Sequence, residues 1–519
     1  MARRIVLILT SALTACSGPG PGPTAGGSAG GLSLVGGGFS GTGGGSGDSG
    51  AVGGGSSVGG GTAGSAGGGS AGGAVGGGAS GGMTAGGGIA GGSAAGGASG
   101  GGMTAGGAAG GMVEPGGVGS FVRVGYFNQL LATGPDGRMH LTFLEGAAER
   151  VFYGSCAQNC FTDAAWSPVQ LRSSAQLSVT TVGPYGIGVD STNRVHLVVG
   201  AVTGLGSSAN AIQYGTCASN CGVATSWTWT DLSSISPGRS LIGTSRTFMV
   251  RPNGAVSFFT AEGIYFTCNG ACSTLSNWSA PVALNNEVLH AVVDGTGVSH
   301  ALLNKGRSAN NESLLGYARC ASNCSVPANW QISQLGFLSN APLFGASLSA
   351  TASGRVFMAY NQGVITVSTQ DNRKLFIASC PPTANCLDLN VWSSFAIGAL
   401  EEGDVGAWVE AYGEGALLAS TTVSTLNLYG CNQDCHLAAS WGQGTIIDTS
   451  AAIAQVVPPA LGSSCPNSAT FAAWYPRRPT VGISPTGAAI VHNPTALVTC
   501  PGSTGPATRP PIGRIITTF

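Results

Sequence analysis

Six closely spaced cysteine pairs recur along the chain, and each is followed by a tryptophan at a fixed distance. The first copy is CAQNCFTDAAW, residues 156–166. In every copy the tryptophan is the sixth residue after the second cysteine: Trp166, Trp227, Trp278, Trp330, Trp392 and Trp441. A fixed spacing that returns about every 50–60 residues is typical of one supersecondary unit used repeatedly. The chain is therefore constrained to fold as an array or ring of small similar units.

The chain has 15 cysteines, and apart from Cys16 they form an even set. An even number of cysteines outside the cytoplasm indicates disulfides. Zinc is the alternative, but its usual sites need a second pair nearby, and these pairs lie far apart. We therefore predict a disulfide within each pair, and one between the two cysteines left over: Cys156 with Cys160, Cys217 with Cys221, Cys268 with Cys272, Cys320 with Cys324, Cys380 with Cys386, Cys431 with Cys435, and Cys465 with Cys500.

The residue before the second cysteine predicts a tight turn in each pair. It is Asn159, Asn220, Asn323, Asn385 or Asp434, and in the remaining pair Gly270 lies close by. These residue types tolerate the left-handed backbone conformation that tight turns require. Each disulfide should close a hairpin, and so short a loop contributes only about 2 kcal/mol of stability.

A second recurring element, a polar turn followed by a β-rich strand, lies upstream of most cysteine pairs. Examples are GPDGRMHLTF at 134–143, STNRVHLVV at 191–199 and TASGRVFMAY at 351–360. Together the two elements give four strands per repeat, the size of one β-propeller blade. We predict an all-β fold, a seven-bladed β-propeller over residues 120–519, with six blades as the alternative.

The repeated hairpin resembles that of the Asp-box propellers of the sialidase-like superfamily. In that family a hairpin between the outer two strands of a blade carries a tryptophan that packs into the blade. The resemblance covers residues 120–519 in outline, but the Ser-x-Asp-x-Gly-x-x-Trp signature is absent and the disulfide replaces it. Sialidase catalysis uses an arginine trio, a tyrosine with a glutamate, and an acid/base aspartate, which have no assignable positions in this sequence.

The N-terminus has the pattern of an export signal. Arg3 and Arg4 precede an apolar run, and Leu13-Thr14-Ala15-Cys16 follows. These four residues resemble the lipobox of bacterial lipoproteins, which implies cleavage after residue 15, lipidation of Cys16 and attachment to the membrane. Ser17 favours the outer membrane or cell surface. The alternative is an ordinary signal peptide with a chance cysteine.

The composition of residues 16–119 predicts a disordered tether. They are rich in Gly, Ser and Ala, and Asp48 is the only charged residue before Glu114. A segment with so few apolar side chains cannot offset the entropy of ordering. The net charge of the whole chain is −1, and Lys305 and Lys374 are its only lysines, which argues against nucleic-acid binding.

Three groups of residues are candidates for a functional site. His140, His196 and His300 occupy equivalent positions, where bonding to a neighbouring turn is a simpler explanation than a metal ring, so we assign no metal ligands. In a strand, one face would carry Trp408, Glu410, Tyr412 and Glu414, which suits a glycan or calcium. An irregular segment, 465–485, could present a recognition loop with Trp474, Tyr475, Arg477 and Arg478.

These features favour a lipid-anchored, monomeric binding or scaffold module over an enzyme. We expect its propeller to bind a glycan or an envelope protein, with no cofactor required other than an optional calcium ion. The alternative from another class is an extracellular carbohydrate-active enzyme, a glycoside hydrolase or lyase. A structural envelope protein without a ligand is the third hypothesis.

Overall fold

A computed structural model describes residues 118–518 of the chain, with gaps. The gaps are 125, 146–148, 161, 203–209, 237–245, 261, 309–311, 340–345, 363–373, 400–405, 422–424, 450–469, 485–486 and 500–511. Cys16, Cys465 and Cys500 lie outside the described residues, so lipidation and the disulfide between Cys465 and Cys500 remain predictions.

The described residues form seven four-stranded antiparallel sheets. The chain begins with β1 (Val118–Val124), which belongs to the last sheet. Six sheets then follow in chain order, and we call them blades 1 to 6. Blade 1 contains β2 (Tyr126–Thr133), β3 (Met139–Glu145), β4 (Arg150–Cys156) and β5 (Val169–Ser173). Blade 2 contains β6 (Thr181–Val189), β7 (Val195–Val202), β8 (Asn210–Cys217) and β9 (Thr228–Asp231).

The next four blades repeat this order. Blade 3 contains β10 (Met249–Val250), β11 (Val256–Phe259), β12 (Ile264–Cys268) and β13 (Val282–Ala283). Blade 4 contains β14 (Glu287–Val293), β15 (Ser299–Arg307), β16 (Ser313–Cys320) and β17 (Gln331–Ser339). Blade 5 contains β18 (Ser347–Ala350), β19 (Val356–Gln362), β20 (Lys374–Cys380) and β21 (Ser393–Ala399). Blade 6 contains β22 (Ala407–Tyr412), β23 (Gly415–Thr421), β24 (Thr425–Cys431) and β25 (Thr445–Thr449).

The last sheet joins the two ends of the described chain, and we call it the closing sheet. It contains β26 (Thr470–Ser484), β27 (Gly487–Thr499) and β28 (Ile512–Thr518), with β1 as its outermost strand. In the described part of the chain, helical structure is limited to α1 (Ser174–Leu177) and short 3-10 turns at Asp163–Ala165, Ala224–Ser226, Ser233–Ile235, Leu275–Asn277, Pro327–Asn329, Leu389–Val391 and Ala438–Ser440. Within the described ranges, no helix is both long and apolar enough to span a bilayer.

The sheets form a closed ring around one axis. The first strands β2, β6, β10, β14, β18, β22 and β26 contact each other in that order, and β26 contacts β2. Seven hydrophobic clusters fill the ring, each built from two neighbouring sheets. Burial of apolar surface between blades therefore stabilises the ring. The predicted all-β propeller is confirmed.

The strand registers define two faces of the ring. In blade 1, Thr133 pairs with Met139 and Met139 with Cys156, so the turn between the first two strands and the disulfide hairpin share one edge. We call this side the hairpin face. The innermost strands begin on the opposite side, the channel face. In the closing sheet, Ala488 lies at the start of β27, on the hairpin face, and pairs with Thr518. Thr518 also pairs with Val118, so β1 starts on the hairpin face as well.

All six hairpin disulfides predicted from the cysteine spacing are formed. Their paired Cα atoms lie 5.6–5.8 Å apart, within the normal range for a disulfide. The bonds join Cys156 with Cys160, Cys217 with Cys221, Cys268 with Cys272, Cys320 with Cys324, Cys380 with Cys386, and Cys431 with Cys435. These twelve cysteines are structural, and none of them is a free thiol available to a metal or a substrate.

The disulfide hairpins explain the fixed spacing to tryptophan. In each hairpin the tryptophan Nε1–H donates to the carbonyl of the second cysteine, at 2.9–3.0 Å. A 3-10 turn fills the space between them, so insertion of one residue would break the bond. The predicted left-handed turn residues are confirmed at Asn159, Asn220, Asn323 and Asp434, but not at Asn385, whose hairpin is two residues longer.

Candidate functional site

Charged and aromatic side chains from the innermost strands meet at the centre of the ring. Arg246, just before β10, is 6% exposed. Its Nη1 donates to the carbonyl oxygens of Ala346 at 3.0 Å and Ala407 at 2.8 Å, in blades 5 and 6. Its guanidinium also lies 4.7 Å from the ring centroid of Trp408. This single side chain therefore connects three blades across the axis. We call Arg246, His290, Trp408 and Glu410 the central cluster.

His290 in β14 is buried, and its bonds fix its protonation. Its Nδ1 accepts a hydrogen bond from the backbone N–H of Leu348 in blade 5, at 2.7 Å. Burial, with a smaller contribution from the Arg246 charge, holds the pKa of His290 well below its usual value. His290 is therefore neutral at physiological pH, with its proton on Nε2. Its ring lies 5.0 Å from that of Trp408.

Glu410 lies two residues beyond Trp408 on β22, and the two side chains are hydrogen-bonded. Trp408 Nε1–H donates to Glu410 Oε2 at 3.1 Å. Both side chains are partly buried. Burial raises the pKa of Glu410 to about 7, against the opposing effect of the Trp408 bond. The carboxyl can therefore both donate and accept a proton near neutral pH, which is the property of a general acid or base.

The four side chains predicted to form one binding surface, Trp408, Glu410, Tyr412 and Glu414, have separate partners in the structure. The Trp408 ring contacts His290 and Arg246, which limits the area that a sugar ring could cover. Tyr412 hydrogen-bonds through its hydroxyl to Asn432, and Glu414 lies in the β22–β23 turn, where it accepts from Ser353 at 2.9 Å. Only the Trp408–Glu410 pair belongs to the central cluster.

The segment predicted as an irregular recognition loop is instead largely a strand. Trp474, Tyr475, Arg477 and Arg478 all lie within β26, the innermost strand of the closing sheet. The pairing of β26 with β27 is interrupted between Trp474 and Pro476 and between Arg477 and Thr480. Pro476 and Pro479 fit this strand because an edge strand with bulges accommodates proline. The prediction of a rim loop was therefore wrong.

The three equivalent histidines lie in the second strand of their blades and bond to neighbouring side chains. Nδ1 of His140, His196 and His300 lies 2.5–2.7 Å from the hydroxyl of Tyr153, Tyr214 or Tyr317. Nε2 of His196 contacts Asp190 at 3.3 Å and Nε2 of His300 contacts Asp294 at 3.0 Å. These contacts lock the turn between the first two strands, as the simpler interpretation predicted.

On the hairpin face, the Asp190–His196–Tyr214 group lies at a polar crevice of about 300 Å³ between blades 2 and 3. No group of three His, Cys, Asp or Glu side chains in the described ranges is arranged to hold a metal ion.

Arg246 and His290 were missed because no local motif contains them. Arg246 bonds to residues 100 and 161 positions away. One available signal was their position, since a charged or imidazole side chain within or just before an apolar inner strand is unusual in a chain with only 8% charged residues.

Comparison with known proteins finds only distant structural similarities. No protein-family model and no curated protein sequence matches the chain. Similar solved structures include the polysaccharide lyase Uly1, with TM-score 0.39 and 10% identity over 78% of this chain and 91% of that one. An α-L-arabinanase of Penicillium chrysogenum has TM-score 0.35 and 8% identity over 75% and 93%. The Trypanosoma rangeli sialidase has TM-score 0.34 and 9% identity over 75% and 53%. The seven sheets and their ring of contacts make the chain a β-propeller protein, and its structural similarity to this lyase, this arabinanase and this sialidase is distant.

Proposed function

We propose that this protein is a carbohydrate-active enzyme, a glycoside hydrolase or lyase, whose proton-transfer group is Glu410. The observation that supports the proposal is the Glu410 carboxyl in the central cluster, with a pKa raised to about 7 by burial. Cleavage of a glycosidic bond requires a group that protonates the leaving oxygen near neutral pH. An ordinary exposed glutamate is almost fully ionised at that pH and serves poorly as an acid.

The other members of the central cluster hold Glu410 in place. Trp408 donates its indole N–H to one carboxyl oxygen and so fixes the rotamer of Glu410. Arg246 and His290 in turn contact the Trp408 ring from two other blades. Arg246 and His290 are therefore positioning residues, and Glu410 is the group expected to touch the substrate.

A panel of plant, algal and microbial polysaccharides tests this proposal. Wild-type protein should release new reducing ends from at least one of them, and unsaturated products would indicate a lyase. Glu410→Gln keeps the shape of the side chain but cannot transfer a proton, so product release should fall by about 10²–10⁴-fold. Glu414→Gln is the matched control, because Glu414 is exposed in the adjoining turn, and its activity should be unchanged.

A binding module without chemistry is the second candidate, and one observation favours it. Hydrolysis commonly uses two carboxyl groups, whereas Glu410 is the one carboxylate that the described part of the chain brings to the central cluster. Retention of a polysaccharide on a column without any product, equal for wild type and Glu410→Gln, would support this candidate over the enzyme.

We also propose that Cys16 carries lipid and anchors the propeller to the cell envelope through the tether. The lipobox-like Leu13–Cys16 motif supports this proposal. Mass spectrometry of protein extracted from membranes should find an acylated N-terminal Cys16. Cys16→Ser protein should leave the membrane fraction, and an unmodified N-terminal peptide in the wild type would contradict the anchor.

A further inference from the structure

The disulfide hairpins of five successive blades each expose one aliphatic side chain. Blades 2, 4 and 6 expose Val223, Val326 and Leu437, at 52%, 44% and 49%. Each is the residue immediately before the 3-10 turn. In blades 3 and 5 the exposed residue is one position later, Leu275 at 36% and Leu389 at 42%. A single exposed aliphatic residue needs no explanation, but recurrence at one of two adjacent positions in five blades does.

The fold does not require an aliphatic residue at this position. The corresponding residue is Thr162 in blade 1 and Thr274 in blade 3, in hairpins of the same design. Threonine is also the better residue before a helical turn. Hairpins of this design therefore form without an aliphatic residue at the position of Val223, Val326 and Leu437.

The repeat places these side chains at one level along the ring axis. Blades related by approximate rotation carry equivalent residues at the same height, so the exposed side chains lie close to a common plane. A flat partner can touch several of them together, whereas a globular partner meets only one or two hairpins. The six hairpins from first cysteine to tryptophan contain no Lys or Arg. The rest of the hairpin face carries exposed charges of both signs, among them Arg138, Arg194 and Asp163, so the aliphatic side chains and not a basic patch would provide the contact.

The described chain begins on this same face, because β1 starts at Val118 beside Thr518 and Ala488. We propose that the hairpin face docks on the lipid bilayer surface, with Val223, Val326 and Leu437 entering its interfacial layer. This inference rests on the proposed lipid anchor, which holds the propeller near the membrane. Docking turns the channel face outwards, since Arg246 and Ala346 directly precede inner strands that begin on the far side. The central cluster is then presented to polymers outside the cell.

Full-length Cys16→Ser protein tests docking without the lipid. It should cosediment with phosphatidylethanolamine/phosphatidylglycerol vesicles and equally with phosphatidylcholine vesicles, with little dependence on salt. The triple variant, which combines Val223→Thr, Val326→Thr and Leu437→Thr, places at each site the residue that the chain itself uses in blades 1 and 3. It should lower vesicle partitioning by at least about tenfold. The control Ile446→Thr changes a 58% exposed aliphatic residue on β25, outside the hairpins, and should leave partitioning unchanged.

Each other outcome overturns the docking proposal. These outcomes are no binding of the Cys16→Ser protein, equal binding of the triple variant, or binding that requires anionic lipid and disappears in salt. If the wild-type protein were absent from the membrane fraction while the Cys16→Ser protein still bound vesicles, only the lipid anchor would be contradicted. A triple variant that self-associates less than wild type, with no vesicle binding by either, would assign the face to protein contacts. Thermal unfolding of each variant confirms that the fold is retained.

Discussion

The phenol ring of Tyr214 lies edge-on against the indole of Trp278, with ring centroids 5.3 Å apart, although the two residues belong to neighbouring blades. The same contact joins Tyr153 to Trp227, Tyr265 to Trp330 and Tyr317 to Trp392. Trp278 thus closes its own hairpin through Cys272 and also seals the junction to the preceding blade. Each of these four tyrosines lies three residues before the first cysteine of its own hairpin and packs against the tryptophan of the next blade.

Replacement of Trp278 should destabilise the ring more than replacement of Trp441, its counterpart in blade 6. Trp278→Ala removes a buried indole, its hydrogen bond and the Tyr214 contact, for a loss of about 3–5 kcal/mol in the free energy of unfolding. In the blade that precedes Trp441, Ile377 occupies the position of the junction tyrosine and belongs to the same hydrophobic cluster as Trp441, so Trp441→Ala should cost about 1 kcal/mol less. Urea denaturation followed by tryptophan fluorescence and circular dichroism compares the two, and equal losses would argue against the cross-blade aromatic contact.

Removal of one hairpin disulfide should have a modest effect. The double variant that combines Cys320→Ser with Cys324→Ser opens a ring of few residues and should lower the free energy of unfolding by about 2 kcal/mol. Alkylation of the native protein followed by mass spectrometry should find the hairpin cysteines protected. Free thiols in the folded wild type would contradict the disulfide framework.

A change at Gly134 should stabilise blade 1. His196 and His300 have an aspartate six residues upstream as partner for Nε2, but His140 has Gly134 there, and its buried Nε2 has no partner among the described residues. Gly134→Asp should supply that acceptor and add about 1 kcal/mol to the free energy of unfolding. The new Cβ would lie 2.8 Å from Oδ1 of Asp136, an exposed side chain that can move.

Gly134→Ala is the control for this prediction, because it adds the Cβ without the carboxylate. Thermal unfolding of both variants should rank Gly134→Asp above wild type and above Gly134→Ala. Equal stability of the two variants would mean that His140 gains nothing from an acceptor.

Glu410 should make stability fall as the pH rises towards neutrality. Its pKa is about 7 in the folded protein, above its ordinary value of 4.5, so the folded state holds the proton more tightly than the unfolded state. Between about pH 4.5 and 7 the unfolded state loses this proton first, and the folded state loses stability. Glu410→Gln removes this loss and should be more stable than wild type by on the order of 2 kcal/mol at pH 8, with no difference at pH 4. Denaturant unfolding across this range gives the comparison, and a constant difference would contradict the raised pKa.

The parts of the structure that could be predicted from the sequence are those set by local spacing. The bond from each tryptophan to the carbonyl six residues earlier and the His–Asp contacts six residues apart both recur at fixed intervals, so they are visible in one sequence. The central cluster is not, because Arg246 meets Ala407 only once the blades have closed into a ring. β26 was missed because its prolines and bulges interrupt the alternation that identifies a strand.

The pH dependence of polysaccharide cleavage tests the account most directly. With a substrate found in the panel, the rate of wild-type protein should be governed by an ionisation near pH 7. Glu410→Gln should lose about 10²–10⁴-fold in rate and retain no such ionisation, while Glu414→Gln keeps the wild-type profile. A Glu410→Gln variant with the rate and pH profile of the wild type would show that this carboxyl is not the proton-transfer group.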